Sequence, residues 1–241
     1  MTGDEIRALE EVGAAIWVAP EIAELDGWRL RSARGLTGRA NSVLPNEPGR
    51  LPLNEKIDRV ERWYAERGLP VRFQLTDASL PAGLDDALAA RGYVVPQQPV
   101  CVETAPLPAV EADGRVALAA EPDDEWLGLW AGSRGFDDEA TARALLTGGP
   151  GQAVFARIGS VAVGRAVAVG SWLGITSMVT VPSARRQGLG AAIVGALAAW
   201  GRSRRCERAL LQVERDNHPA RSLYARFGFG ERYAYHYRVS A

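Results

Sequence analysis

MVTVPSARRQGLGAAIV, residues 178–194, carries an apolar strand through a short glycine-containing loop into an amphipathic helix. The strand (175–181) stops at Pro182, and the helix (188 to about 202) repeats Leu189, Ile193, Leu197 and Trp200 along one stripe. A loop in that position presents backbone N–H groups at a helix N-terminus. The partial positive charge there favours an anion, and glycines let a phosphate oxygen come close. Such a loop suits a pyrophosphate, with Arg185 and Arg186 adding charge at its rim. Taken alone, Arg-x-x-Gly-x-Gly is also what a glycine-eased strand-to-helix turn looks like in a chain with 26 glycines. It lacks the Gly-Lys-Ser/Thr of a P-loop and the third glycine of a dinucleotide fingerprint.

Further along, NHPARSLYARFGF, residues 217–229, follows directly on a strand at 209–213. Asn217 is a good N-cap, Pro219 suits a first helical turn, and Ala220, Leu223, Tyr224 and Phe227 share one helical face until Gly228 stops it. By itself Tyr224 reads as a half-buried packing residue whose hydroxyl bonds a neighbour.

Together VTVPSARRQGLG (179–190) and NHPARSLYARFGF resemble the GNAT superfamily of acyl-CoA-dependent N-acyltransferases, and the resemblance covers residues 115–239. It implies acetyl-CoA as co-substrate and a small-molecule or peptide amine as acceptor. Met178, Val179 and Thr180 would pair by backbone with the pantetheine arm. Arg186, Gln187, Gly188, Leu189, Gly190 and Ala191 would surround the pyrophosphate, Asn217 would contact the coenzyme, and Tyr224 would protonate the departing thiolate. The chemistry is consistent: a thiolate of pKa about 8.5 leaves faster beside an acid, and a splayed strand edge offers free amide groups. One position departs from the family. Where many members carry a glutamate in the strand before the asparagine, this chain has Gln212, and a neutral amide is no base. Glu214 falls on the same strand face and is the candidate base, or else a solvated side chain. His236, in YAYHYR, either lines the acceptor pocket or belongs to an aromatic strand packing its core, the reading the alternation favours. Trp126, Trp130, Arg134 and Asp137 belong to helices that would border the acceptor, or simply to helix packing. The rival function is a non-catalytic acyl-CoA-binding regulatory module; retention of Tyr224 argues against it. A nucleotide-phosphate enzyme would need acidic metal-holding residues near the loop, and none is evident.

Outward from these motifs the pattern is mixed α/β (α+β). Strands are expected at 115–119, 153–158, 161–169 and 233–239, with helices at 123–130 and 137–146. In the first half, strands are expected at 28–32, 39–44 and 71–76 and helices at 53–67 and 84–90. The stretch 96–113, rich in Pro and Ala, reads as a linker. A weak internal repeat at an offset of about 137 residues pairs Trp63 with Trp200 and Pro45 with Pro182, and sets FQLTDASLPAGLDDALAARGY opposite LQVERDNHPARSLYARFGF. The expected architecture is a mixed central sheet flanked by helices, two GNAT-like halves in tandem. Residues 1–95 form a degenerate half and 114–241 the acetyltransferase unit. The first half reads NEPGRLPLNEK after Pro45, with prolines where N–H donors would be needed, so it is expected to shape the acceptor site instead.

Composition narrows the rest. With 47% hydrophobic and 24% charged residues and mean hydropathy near zero, the 241 residues are those of an ordinary globular protein. A net charge of −1 offers no overall field for nucleic acid or an anionic membrane surface. Two cysteines far apart and two histidines fit no zinc spacing, so no metal is expected. The opening MTGDEIRALEEV has no basic stretch followed by an apolar run, and a cytoplasmic location is the default expectation. The sequence leaves the oligomeric state open; a tandem chain can stand as its own pseudo-dimer.

Overall fold

The computed structural model describes residues 1–133, 135 and 138–240. The chain begins with α1 (Gly3–Ile16), started by a capping box: the Thr2 hydroxyl accepts from the Glu5 N–H at 3.2 Å, and the Glu5 carboxylate accepts from the Thr2 N–H at 2.7 Å. There follow β1 (Glu21–Leu25), β2 (Trp28–Ser32), a 3-10 turn (Arg39–Asn41), β3 (Val43–Leu44), α2 (Leu53–Ala65), β4 (Arg72–Leu75), α3 (Leu84–Ala90) and β5 (Val100–Pro106). The second half runs β6 (Ala117–Ala119), α4 (Asp124–Gly132), α5 (Glu139–Thr147), β7 (Gln152–Ile158), β8 (Ala162–Val169), β9 (Trp172–Thr180), α6 (Leu189–Ser203), β10 (Arg208–Glu214), α7 (His218–Ala225) and β11 (Gly230–Val239).

Among the described residues eleven strands form one mixed sheet in the order β1-β2-β3-β4-β11-β5-β10-β9-β8-β7-β6. The order is palindromic in its pairings. β2 and β3 pair antiparallel as β8 and β9 do, β3 and β4 parallel as β9 and β10 do, and β4 meets β11 antiparallel as β10 meets β5. At the centre β5 and β11 pair antiparallel with each other. Each half therefore sends its last strand into the other, and the sequence repeat is expressed as a two-fold arrangement of strands.

That exchange corrects the linker reading of 96–113. Val100, Cys101 and Val102 are buried in a strand at the centre of the sheet, and the crossing segment proper is about residues 107–116, where Arg202 of α6 donates to the Pro108 and Val110 carbonyls. The prolines flank the strand and do not interrupt it, since a proline is tolerated at strand ends. The expected strand at 39–44 is also corrected. Its first half is a 3-10 turn, because buried Asn41 folds back: its Oδ1 accepts from the N–H groups of Ala33 (2.8 Å) and Gly35 (2.9 Å), and its Nδ2 donates to the carbonyls of Leu36 and Thr37, both at 2.8 Å. Helix α1 and strand β1 lie outside the sequence reading altogether.

No helix among the described residues is long and apolar enough to cross a membrane. On one side of the second half, α6 buries Leu189, Ile193, Val194 and Leu197 with Ala209, Leu211 and Val213 of β10. Elsewhere Ile16 of α1 packs with Val100, Val102, Leu210, Tyr235 and Tyr237, so the first helix covers the central strands.

Strand β5 is registered with β10 over seven residue pairs and with β11 over five. An unpaired buried backbone group costs about 1–3 kcal/mol, against a total domain stability of about 5–15 kcal/mol. Residues 114–241 produced alone are thus expected to give no stable monomer; light scattering that finds one, with cooperative unfolding, would contradict the exchange as a structural necessity.

Candidate active site

Strands β9 and β10 pair in parallel from Trp172↔Arg208 to Ile175↔Leu211 and then part. The register of β9 against β8 shifts at the same place, between Val163 and Arg165, where Ser177 takes a left-handed φ of 57°. The extra residue turns β9 away from β10. Beyond the fork Thr176 to Thr180 face a cleft of about 1280 Å³ whose far wall includes Gln212, Val213 and Glu214. A usual small-molecule site is roughly 300–1,000 Å³, so this one has room for two substrates side by side.

Below the fork, Arg186 (φ 64°) and Gly188 (φ 77°) bend the chain left-handed into the first turn of α6. No side chain caps that helix, so its leading N–H groups are free for a ligand. Of the sequence-derived residues, Met178, Val179, Thr180, Arg185, Arg186, Gly188, Leu189, Gly190, Ala191, Glu214, Asn217 and Tyr224 all line the one cleft. Gln187 does not; its amide lies 3.5 Å from the Ser183 carbonyl. Asn217 caps α7 through its side-chain oxygen, which accepts from the Ala220 N–H at 3.2 Å.

Tyr224 is buried against Phe229, ring centroids 6.0 Å apart. Burial, then the nearby negative charge of Glu103, pushes its hydroxyl up to about 12. It therefore holds its proton throughout the neutral range. Gln212 accepts a hydrogen bond from the Tyr235 hydroxyl at 3.2 Å, and Glu214 stands exposed at the strand end. His236 points away from the cleft, 3.1 Å from Asp85 of α3, as an alternating strand with Tyr235 and Tyr237 inward requires. Trp126 and Trp130 are core residues: Trp126 donates to the Ala156 carbonyl at 3.0 Å, and Trp130 packs edge-on against Trp17, which itself reaches the cleft. Arg134 and Asp137 lie outside the described residues.

The sequence reading missed what the first half contributes. Thr37, Gly38, Arg39 and Arg72 line the same cleft, brought there because β4 pairs with β11. No local motif marks them. It also missed how the first half fills the loop ahead of α2, its counterpart of the loop ahead of α6. The Asp26 carboxylate accepts from the N–H groups of Arg50 and Leu51, at 2.8 Å each, at the entrance to α2, and Lys56 stands 3.5 Å from it. Those bonds hold the Asp26 carboxyl below the usual carboxylate range. Gly49 (φ 72°) has no room for a Cβ, which would lie 2.1 Å from Asp26 oxygens. The protein's own anion thus occupies the loop just ahead of α2, whose first turn, like that of α6, has no side-chain cap. Among the described residues no group of three or more His, Cys, Asp and Glu side chains is placed to hold a metal.

A strand fork beside an open helix N-terminus, with a protonated tyrosine in the same cleft, is the arrangement of the GNAT acetyltransferase fold, here in tandem. The family model described as "Probable histone acetyltransferase Rv0428c C-terminal" matches residues 3–238, and the chain belongs to that family. The Bacillus subtilis protein named "Uncharacterized N-acetyltransferase YobR" is 29% identical over 98% of this chain and 99% of its own length. Among solved structures, a GCN5-related N-acetyltransferase from Kribbella flavida superposes with a TM-score of 0.65 at 16% identity, covering 99% of this chain and 95% of that one. A tandem GNAT protein from the clavulanic acid biosynthesis pathway gives 0.57 at 12% identity over 78% and 69%. These two show the fold.

Asn41 carries four hydrogen bonds that fix the loop bearing Arg39. Asn41→Ala leaves buried N–H and C=O groups unmet and is expected to lower stability by about 2–4 kcal/mol in denaturant unfolding, a loss below about 1 kcal/mol meaning that water replaces the side chain.

Proposed function

We propose that this chain moves an acetyl group from acetyl-CoA to a primary amine by direct attack. The observation that carries the proposal is the fork between β9 and β10, which opens unpaired backbone beside the uncapped start of α6 and leaves Tyr224 in the same cleft. The free edge of β9 at Met178 to Thr180 suits the amide-bearing pantetheine arm, and the N–H groups at Gly188 to Ala191 suit the pyrophosphate. The amine nitrogen attacks the thioester carbon, the C–S bond breaks, and the thiolate takes the Tyr224 proton, which solvent then restores. The acceptor ammonium loses one proton before it attacks, as the neutral amine, and the nitrogen loses a second as the C–S bond breaks and the amide forms. Gln212 is unable to take either, so water or Glu214 does. The first half serves as a wall of the acceptor site.

The direct test is thiol release from acetyl-CoA across a panel of amines, with the acetylated product identified by mass. Coenzyme binding without turnover of any amine would favour the regulatory-module reading instead. Tyr224→Phe should lower kcat by about tenfold to a thousandfold while acetyl-CoA affinity changes little. Because Tyr224 is raised to about 12, wild-type kcat should rise with pH as the amine loses its proton and show no falling limb from Tyr224 before about pH 11. A Phe variant with wild-type kcat would remove Tyr224 from the chemistry.

Stoichiometry is a separate expectation. With Asp26 seated at the start of α2, calorimetry should find one acetyl-CoA per chain, and two equivalent sites would show that Asp26 is displaceable.

A further inference from the structure

Among the described residues the charges lining the cleft are unbalanced: five arginines, Arg39, Arg72, Arg185, Arg186 and Arg226, line it with one carboxylate, Glu214. Arg185, Arg186 and Arg226 flank the α6 loop and α7, where the coenzyme phosphates are proposed to sit. Arg39 and Arg72 come from the other half and line the same cleft as Gln212 and its partner Tyr235. The Arg39 guanidinium lies 5.5 Å from the Trp17 ring, and that of Arg72 lies 5.5 Å from the Tyr237 ring. Gly38, next to Arg39, packs against the Tyr237 ring and Arg72: a Cβ there would lie 3.5 Å from the ring and 3.6 Å from Arg72 Cδ, in ordinary contact.

Neither arginine has an ion-pair partner among the described residues, and the Nε of each is buried without an acceptor. Behind them Arg165 is fully buried. It donates to the carbonyls of Leu146 (2.7 Å) and Ile16 (3.2 Å) and to the Thr176 hydroxyl (3.3 Å), and its Nη2 has no acceptor. Burial, then the charge of Arg39, pulls Arg165 down to about 9, still cationic at neutral pH. Among the described residues the carboxylate within electrostatic reach of Arg39 is Glu10, and it is already engaged. It accepts from Tyr233 and Gln74 at 2.5 Å each, and burial raises its pKa. Cations crowded in a part-buried pocket with unmet N–H groups are costly until an anion joins them. A guanidinium fork fits the two oxygens of a carboxylate or phosphate. The position is fixed in advance, since Asn41 staples the Arg39 loop at four points.

We propose that the acceptor amine carries an anionic group, a carboxylate or a phosphate, which Arg39 and Arg72 hold while the amine reaches the thioester. The inference rests on the acetyltransferase reading and narrows its acceptor to anionic amines.

The test compares kcat/KM at saturating acetyl-CoA within matched pairs: amino acids against their amides, and phosphoethanolamine against ethanolamine, with a lysine-rich peptide as the cationic arm. The anion-bearing member should be preferred by about tenfold or more, and whichever pair shows the larger preference identifies carboxylate or phosphate. Arg39→Gln and Arg72→Gln, each checked for a native unfolding transition, should cut that preference about tenfold to a hundredfold, mainly through KM, with acetyl-CoA Kd within about twofold. Turnover that is equal within the pairs, or greatest for the lysine-rich peptide, overturns the anionic acceptor and leaves acetyl transfer standing. If no amine turns over, calorimetric titration of the acetyl-CoA complex with inorganic phosphate decides. Saturable binding that Arg39→Gln and Arg72→Gln abolish keeps the anion site and counts against acetyl transfer, whereas absence of phosphate binding removes the anion site as well.

Discussion

The antiparallel pair of β5 with β11 is the contact on which the rest of this molecule depends. Each strand is the last of its own half and the nearest neighbour of the other half's core strand, so neither half can complete its sheet alone. Backbone pairing of this kind fixes register, because a slip of one residue would turn every side chain to the opposite face. β11 consequently presents Tyr235 and Tyr237 to the cleft and His236 away from it, while its pairing with β4 delivers Arg72 to the same cleft. A binding site whose walls come from both halves, on opposite sides of a pseudo-dyad, is the direct result.

The fork between β9 and β10 is the second consequence. Parallel strands normally continue to pair until their ends, and here pairing is given up after Ile175 and Leu211. A left-handed residue other than glycine costs about 1–2 kcal/mol, and Ser177 also leaves a buried hydroxyl without an acceptor. Arg165 offsets part of this: from β8 it reaches both the last carbonyl of α1 and the Thr176 hydroxyl, holding the turned strand against the covering helix. The strain sits where the proposed donor and acceptor meet, as is common for residues in sparsely populated backbone regions.

How much of this was legible in the sequence depends on the range of the interactions. Helix α6, strand β10, helix α7 and the loop between β9 and α6 were readable because apolar spacing, an asparagine cap and glycine stops are local signals. Helix α1 left a readable signal too, Thr2 followed three residues later by Glu5, ahead of an apolar series at Ile6, Leu9 and Gly13. Strand β5 was hidden by its surroundings: Val100 to Val102 is a short apolar run, but Pro96, Pro99, Pro106 and Pro108 gave the stretch the look of a linker. The 3-10 turn at Arg39 depends on Asn41 reaching back to Ala33 and Gly35, which no propensity contains. Asp26 closing the start of α2, and Arg39 and Arg72 facing the cleft, are tertiary facts whose partners lie far away in the chain.

The two halves show what separates a ligand site from a structural copy of one. Both helices, α2 and α6, start after a strand and a proline-bearing loop, and both offer N–H groups that need an acceptor. In the first half a carboxylate supplied by the chain sits just ahead of that need, on the loop N–H groups of Arg50 and Leu51, and Lys56 beneath it, 4.1 Å from the Trp28 ring, compensates its charge. In the second half no side chain fills it, and the nearby arginines add positive charge. The same asymmetry governs the proton path proposed for the reaction. Gln212 is hydrogen-bonded to Tyr235 and, through it, linked to Tyr237, and burial raises the Tyr235 hydroxyl well above its usual range, so that it keeps its proton at neutral pH and offers no base. Buried Glu10 is shut behind Tyr233 and Gln74. Among the described residues a proton released by an ammonium at the fork therefore meets no free internal base beside Gln212, and the exposed end of the strand at Glu214 offers it a route to water.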